Sequence, residues 1–152
     1  MKALNLPEAD LRIRKSGGKH EVFDIIRKRF VRLSAEEWVR QHFIQYLIRQ
    51  KQVPASLVAV ETTINYNRLS KRCDIVVYDK TGKPALIVEC KAPEVAITQE
   101  VFDQVAIYNM TLKVNYLVVT NGLEHFACYI DHELRCYSFL KEIPEYSELA
   151  KI

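Results

Sequence analysis

No stretch of this chain is apolar for the roughly 20 residues that a membrane-spanning helix needs. Nor does it open like a cleaved leader: Met1-Lys2-Ala3-Leu4 runs into Pro7, Glu8 and Asp10 without an apolar segment. Both absences point to a cytoplasmic protein with no membrane partner. The four cysteines, at 73, 90, 128 and 136, include no CxxC pair, which argues against a structural zinc site. They are expected to be small buried hydrophobes in a reducing compartment. The histidines at 20, 42, 125 and 132 form no HxxxH pair, and there is no GxSxG elbow and no GxxxxGK(S/T) loop. Zinc catalysis, a serine nucleophile and a nucleotide motor are therefore not written here. Glycine is scarce, at four residues, and no Gly/Ser linker divides the chain. Residues 1–152 are expected to form one domain, with a basic lead-in over 1–33 and a core over about 34–140.

What is present is the makeup of a packed domain, 49% hydrophobic and 27% charged. The charge is uneven. Residues 1–51 hold 12 Lys and Arg against 6 Asp and Glu (+6), and residues 52–152 hold 10 against 13 (−3), which sums to the formal +3. A basic front half suits a phosphate backbone, although a solvated surface has the same composition.

Leu11-Arg12-Ile13-Arg14 alternates like a strand, Ser16-Gly17-Gly18-Lys19 is a turn, and Glu21-Val22-Phe23 can return beside it. Residues 24–33 show no clear period. Ser34 is an N-cap, with Glu37 placed to close a capping box. The helix it starts carries Val39, Phe43, Leu47 and Ile48 on one stripe. Strands are expected over 57–64, 72–78 and 85–91, with a polar loop over 65–71. A helix capped by Thr98 runs over 99–112, and further strands cover 114–120, 123–130 and 134–139, the first two joined at Asn121-Gly122. The end, 141–152, is expected to pack loosely. The order predicts an α/β (α+β) domain, a mixed central sheet flanked by helices.

The chemistry centres on Cys73-Asp74-Ile75-Val76-Val77-Tyr78 and Leu86-Ile87-Val88-Glu89-Cys90-Lys91. Side chains alternate along a strand, so Glu89 and Lys91 share a face and Cys90 opposes them. If the hairpin turns about Thr81–Gly82, Asp74 lies across from Glu89, with Cβ atoms roughly 5 Å apart. Two such carboxylates repel unless a cation sits between them or one takes a proton. With the Cys90 backbone carbonyl they offer oxygens suited to Mg²⁺ or Mn²⁺. Lys91 can position a water and offset charge on a reacting phosphate. Glu36 or Glu37 on the first helix could add a further acid. Arg68, Lys71 and Arg72, just before Asp74, either hold phosphate or solvate a loop.

In these segments the chain resembles the PD-(D/E)XK nucleases, which share the restriction-endonuclease-like fold. Within that superfamily it looks like the N-terminal nuclease domain of type I restriction enzyme R subunits. The likeness rests on Glu36–Gln41, Arg72–Tyr78, Pro84–Pro93 and Gln104–Tyr108. It implies metal-binding roles for Asp74 and Glu89, a catalytic role for Lys91, a supporting acid at Glu37 or Glu36, and a QxxxY element at Gln104 and Tyr108. Cys73 stands where the superfamily often has proline. The implied function is metal-dependent hydrolysis of DNA in restriction-modification or DNA processing, as a homodimer or with partner subunits. The alternative is a nuclease-like module that binds nucleic acid or protein without cutting.

Overall fold

The structure, a computed structural model, describes residues 1–150. Three short strands come first. β1 (Ile13–Ser16), β2 (Lys19–Asp24) and β3 (Arg29–Arg32) form an antiparallel sheet in chain order. Gly17 and Gly18 turn the first hairpin at φ +57° and +79°, which glycine adopts without strain. The third strand is not legible in the sequence because Arg29-Phe30-Val31-Arg32 is too short to display a period.

α1 (Ala35–Gln50) starts where Ser34 predicts: the Ser34 hydroxyl accepts the Glu37 N–H at 3.0 Å. Val39, Phe43, Ile44 and Leu47 are fully buried along its stripe. A single 3-10 turn at Ala55–Leu57 then leads into the main sheet. Its strands are β4 (Val58–Tyr66), β5 (Leu69–Tyr78), β6 (Pro84–Cys90), β7 (Tyr116–Thr120), β8 (His125–Asp131) and β9 (Cys136–Phe139), side by side in that order. All neighbours are antiparallel except β6 and β7. These run parallel because α2 (Gln99–Met110) lies between them in sequence and carries the chain back. The result is the expected mixed sheet flanked by helices.

Alternation along the strands fills two apolar layers. Ile75, Val77, Leu86 and Val88 pack with Val39, Phe43 and Leu47 of α1. Val76, Ile87, Leu117 and Val119 pack with Phe102 and Ala106 of α2. The two layers hold the sheet between the helices and fix which face each strand residue presents.

Three expectations are corrected. Residues 65–71 are not a loop: β4 and β5 extend to a turn at Asn67–Arg68, with Tyr66 paired to Leu69. Most of those side chains are exposed, so the apolar alternation that marks a strand is missing. The core also runs past residue 140, since Ile143 and, in the short α3 (Tyr146–Leu149), Tyr146 and Leu149 are buried against the α1 layer. Residues 151 and 152 of the expected loose end lie outside the described residues. Cys73, Cys90 and Cys128 are buried as expected, but Cys136 is exposed on the last strand. Among the described residues, no helix is long and apolar enough to cross a membrane.

The front of the chain is fastened to this frame. Trp38 Nε1 donates to the Lys2 carbonyl at 2.8 Å, and the Asn5 N–H donates to the Gly122 carbonyl at 2.8 Å. Gly122 has φ +85°, and a Cβ there would stand 2.7 Å from Leu4 Cδ2.

Candidate active site

The β5–β6 turn is closed by Asp79, whose Oδ1 accepts the N–H groups of Thr81 at 2.8 Å and Lys83 at 3.1 Å. A bulge between Val77 and Tyr78 absorbs the odd residue, and Ile75 faces Val88 in the register expected from the sequence. One step further lies Asp74, level with Glu89. Asp74 Oδ2 accepts the Cys90 backbone N–H at 2.7 Å, which ties the side chain across to β6.

The β4–β5 ladder rotates at this level. Val60 pairs with Ile75 and Thr62 with Cys73, while Glu61 between them sits at φ +52°. Ile75 belongs to the α1 layer, yet Cys73, two residues earlier, belongs to the α2 layer. Residues two apart in a regular strand share a face, so the strand turns over at Asp74. A non-glycine residue at positive φ costs about 1 kcal/mol or more, and such strain gathers at functional sites. The rotation leaves Asp74 between the two helical layers.

On the α1 side the acids are locked. The buried Arg40 guanidinium donates from Nη1 to Glu37 Oε1 at 2.6 Å and from Nη2 to Asp74 Oδ1 at 3.1 Å, and pairs with Glu61 Oε1 at 2.7 Å. Burial alone would lower the Arg40 pKa, but Glu37, Asp74 and Glu61 outweigh it and raise it. Glu61 Oε2 also pairs with Arg72 at 2.7 Å. Glu37 is 5% exposed and accepts from Arg27 Nη2 at 2.9 Å and Gln41 Nε2 at 3.1 Å as well. Glu37, expected as a supporting acid, is thus held by donors from Arg27, Arg40 and Gln41. Its carboxylate does not return to close the capping box.

On the α2 side Glu89 is loosely held. Glu89 has Lys71 Nζ at 3.6 Å and Lys91 Nζ at 3.9 Å. Burial first, then the Asp74 charge, raise the Glu89 pKa against the pull of both lysines. Glu36 is raised for the same two reasons, burial and the Asp74 charge, against the pull of Arg40 and Lys91. Lys71 also lies over the Tyr108 ring, 4.9 Å from its centroid, so Tyr108 reaches the site through that lysine. Gln104 is exposed one helical turn before it.

The basic trio is split. Lys71 and Arg72 are successive strand residues and face opposite ways, Lys71 toward Glu89 and Arg72 toward Glu61, while Arg68 sits in the turn at the hairpin tip. The Cys90 thiol packs in the α1 layer, its pKa well above normal through burial, and its carbonyl closes the end of β6. Among the described residues, no three His, Cys, Asp or Glu side chains stand together as a metal cage. Two carboxylates from neighbouring strands still match the way Mg²⁺ binds, through one or two carboxylates with waters and substrate phosphate completing its shell.

Sequence reasoning missed Arg27, Arg40 and Glu61. Arg40 had a readable signal, being three residues after Glu37 and four after Glu36 on one helix face. Arg27 lay in an unassigned stretch, and Glu61 reads as an ordinary strand residue.

A mixed sheet with two acids and a lysine at the end of one hairpin, faced by an acid-bearing helix, places the molecule among restriction-endonuclease-like α+β domains. Residues 35–144 match the family model described as type I restriction enzyme R protein N terminus, and the chain belongs to that family. The fold is similar to the solved fragment of a protein described as an HsdR subunit of a type I restriction enzyme from Vibrio vulnificus YJ016. That match has 18% identity and a TM-score of 0.55, and covers 77% of this chain and 24% of that one. At this identity the likeness speaks for the fold alone, and the chain spans about a quarter of that protein's length. No curated protein matches the sequence.

Proposed function

We propose that this R-protein N-terminal domain is a Mg²⁺- or Mn²⁺-dependent nuclease that hydrolyses DNA phosphodiester bonds. The observation that carries the reading is the convergence of Asp74, Glu89 and Lys91 at one hairpin end, with Lys91 Nζ 3.9 Å from Glu89 Oε1. Asp74 and Glu89 would hold the ion, with the Cys90 carbonyl beside them. When bound, the ion supplies a Lewis acid at a phosphate oxygen and makes water acidic enough to attack. Lys91 orients that water and balances charge on the phosphate. Glu36 takes up or releases a proton through water, helped by its raised pKa. Lys71, steadied by Tyr108, faces the incoming backbone. The reading includes a restriction-type setting in which partner subunits or a second copy present the DNA.

The test is cleavage of single- and double-stranded DNA and RNA with Mg²⁺ or Mn²⁺. Asp74→Ala and Lys91→Ala are expected to abolish metal-dependent cutting while leaving the fold intact. Wild type that cuts nothing beyond the two variants refutes the reading.

A second reading has one observation in its favour. Arg40 already neutralises Asp74 at 3.1 Å, as a module that binds without cutting would require. Calorimetric titration separates the two. Heat from Mg²⁺ that disappears in Asp74→Ala supports the nuclease, and no heat supports the binding module.

A further inference from the structure

The sheet of β1, β2 and β3 lies outside residues 35–144 and takes no part in the chemistry above. Residues 12–32 nevertheless hold eight Lys and Arg against two acids, a net +6. Register sorts them. Ile13, Val22 and Val31 pair across the strands on one face, and Val22 is fully buried there. The opposite face carries Arg14, Glu21 and Arg32 in one row, Phe23 and Phe30 in the next, and Lys19 at the hairpin end. Arg12 joins them, its carbonyl accepting the Phe23 N–H at 2.8 Å. Arg12, Arg14, Lys19 and Arg32 are all exposed.

The rings on this face are already covered. The Arg14 guanidinium lies 3.9 Å from the Phe30 centroid, and that of Arg12 lies 4.8 Å from Phe23 and 5.5 Å from Phe30. Bases therefore cannot stack there, and the face offers a row of exposed cations. Only Glu21 opposes them, paired with Arg14 at 2.8 Å. The row is also tethered to the candidate site. Arg27, in the turn between β2 and β3, reaches Glu37 at 2.9 Å, and Glu37 holds Arg40 on Asp74.

We propose that the outer face of this three-stranded sheet docks the phosphate backbone of duplex DNA, without reading sequence, and delivers it to the Asp74–Glu89 end of the main sheet. The choice of DNA over other polyanions rests on the nuclease reading; the docking face itself does not.

The experiment measures anisotropy of a labelled 30-base-pair duplex against salt, in EDTA so that nothing is cut. Lys19→Glu with Arg32→Glu is expected to weaken binding about tenfold or more. It should also flatten the slope of log affinity against log salt by about 2, since each phosphate contact contributes about 0.9. Lys19→Gln with Arg32→Gln, which keeps exposed side chains of similar length, should show a smaller loss in the same direction. Unchanged affinity and slope in both pairs overturn the proposal, and equal binding of phosphatidylserine vesicles or heparin by wild type overturns the choice of DNA. If Asp74→Ala ends cleavage while both charge variants bind normally, the docking face falls and the nuclease stands. If the charge variants lose DNA while wild type cuts nothing, the docking face stands and the nuclease falls.

Discussion

Replacing Glu37 by alanine separates an anchoring acid from a catalytic one. Its Oε1 accepts two guanidinium groups, from Arg40 at 2.6 Å and Arg27 at 2.9 Å, and its Oε2 accepts Gln41 at 3.1 Å. Removing one partner of a buried ion pair costs about 3–5 kcal/mol when the other charge is left alone. Here neither guanidinium is abandoned. Arg27 keeps Asp24 at 2.7 Å, and Arg40 keeps Glu61 at 2.7 Å and Asp74 at 3.1 Å. The lower end, about 3 kcal/mol, is therefore expected, or roughly 6–12 °C in melting temperature at about 2–4 °C per kcal/mol. Glu37→Gln keeps the shape and one acceptor, so its cost should fall between alanine and wild type. Glu36→Ala, at an exposed neighbour that repels Asp74, should stay within about 0.5 kcal/mol of wild type. Urea and thermal unfolding of the three variants decide the matter. A loss below about 1 kcal/mol for Glu37→Ala, or a larger loss for Glu36→Ala, refutes the assignment.

Glu89 has a pKa raised above its ordinary 4.5, so the folded protein holds this proton more tightly than the unfolded chain does. The stabilising contribution is fully present below that ordinary value and is lost as pH rises through the higher folded one. Glu89→Gln should therefore raise the melting temperature at pH 7.5 more than at pH 4.5, and melts across that range showing the opposite order contradict the cause given. On the same logic, Mg²⁺ should stabilise wild type more at pH 7.5 than at pH 4.5, and Asp74→Ala at neither; differential scanning fluorimetry reads this directly. Gly122→Ala should cost about 1–2 kcal/mol. Its φ of +85° disfavours a side chain, whereas the 2.7 Å approach to Leu4 Cδ2 can be relieved by that flexible side chain. Chemical denaturation with no measurable loss would mean the turn relaxes.

The fold was legible where pattern and punctuation agreed. Ser34 and Thr98 mark both long helices because each hydroxyl accepts an N–H three residues on. The β5–β6 register could be read from the turn and the apolar run, and it carried Asp74 to the level of Glu89. The hairpin beyond Asp74 could not, because Asn65, Tyr66, Leu69 and Ser70 are exposed and leave no buried stripe. Within the site, strand residues could be placed by alternation. The ion pairing of Glu37 could not, for it depends on where Arg27 and Arg40 arrive, and Arg27 comes from a turn that no periodicity announces.

Asp24 and Glu89 show two ways in which this chain answers a carboxylate withdrawn from water. Asp24 is fully buried, yet its pKa is lowered: burial works against the charge, but the Arg27 and Gln41 hydrogen bonds at 2.7–2.8 Å overcome it. The Glu89 pKa is raised: burial first, then the Asp74 charge, act against its ionisation, and its cations stand off at 3.6 and 3.9 Å and answer only part of it. A short, directed donor answers an anion fully; a loose lysine answers only part of it. On the α1 side, Arg27, Arg40 and Gln41 satisfy Asp24 and Glu37 with short hydrogen bonds. The negative charge of Glu89, and of Glu36 in the first turn of α1, is incompletely answered, beside Lys71 and Lys91. That imbalance fits the proposed reading, in which Asp74 and Glu89 would hold a divalent ion and the lysines would face a phosphate backbone.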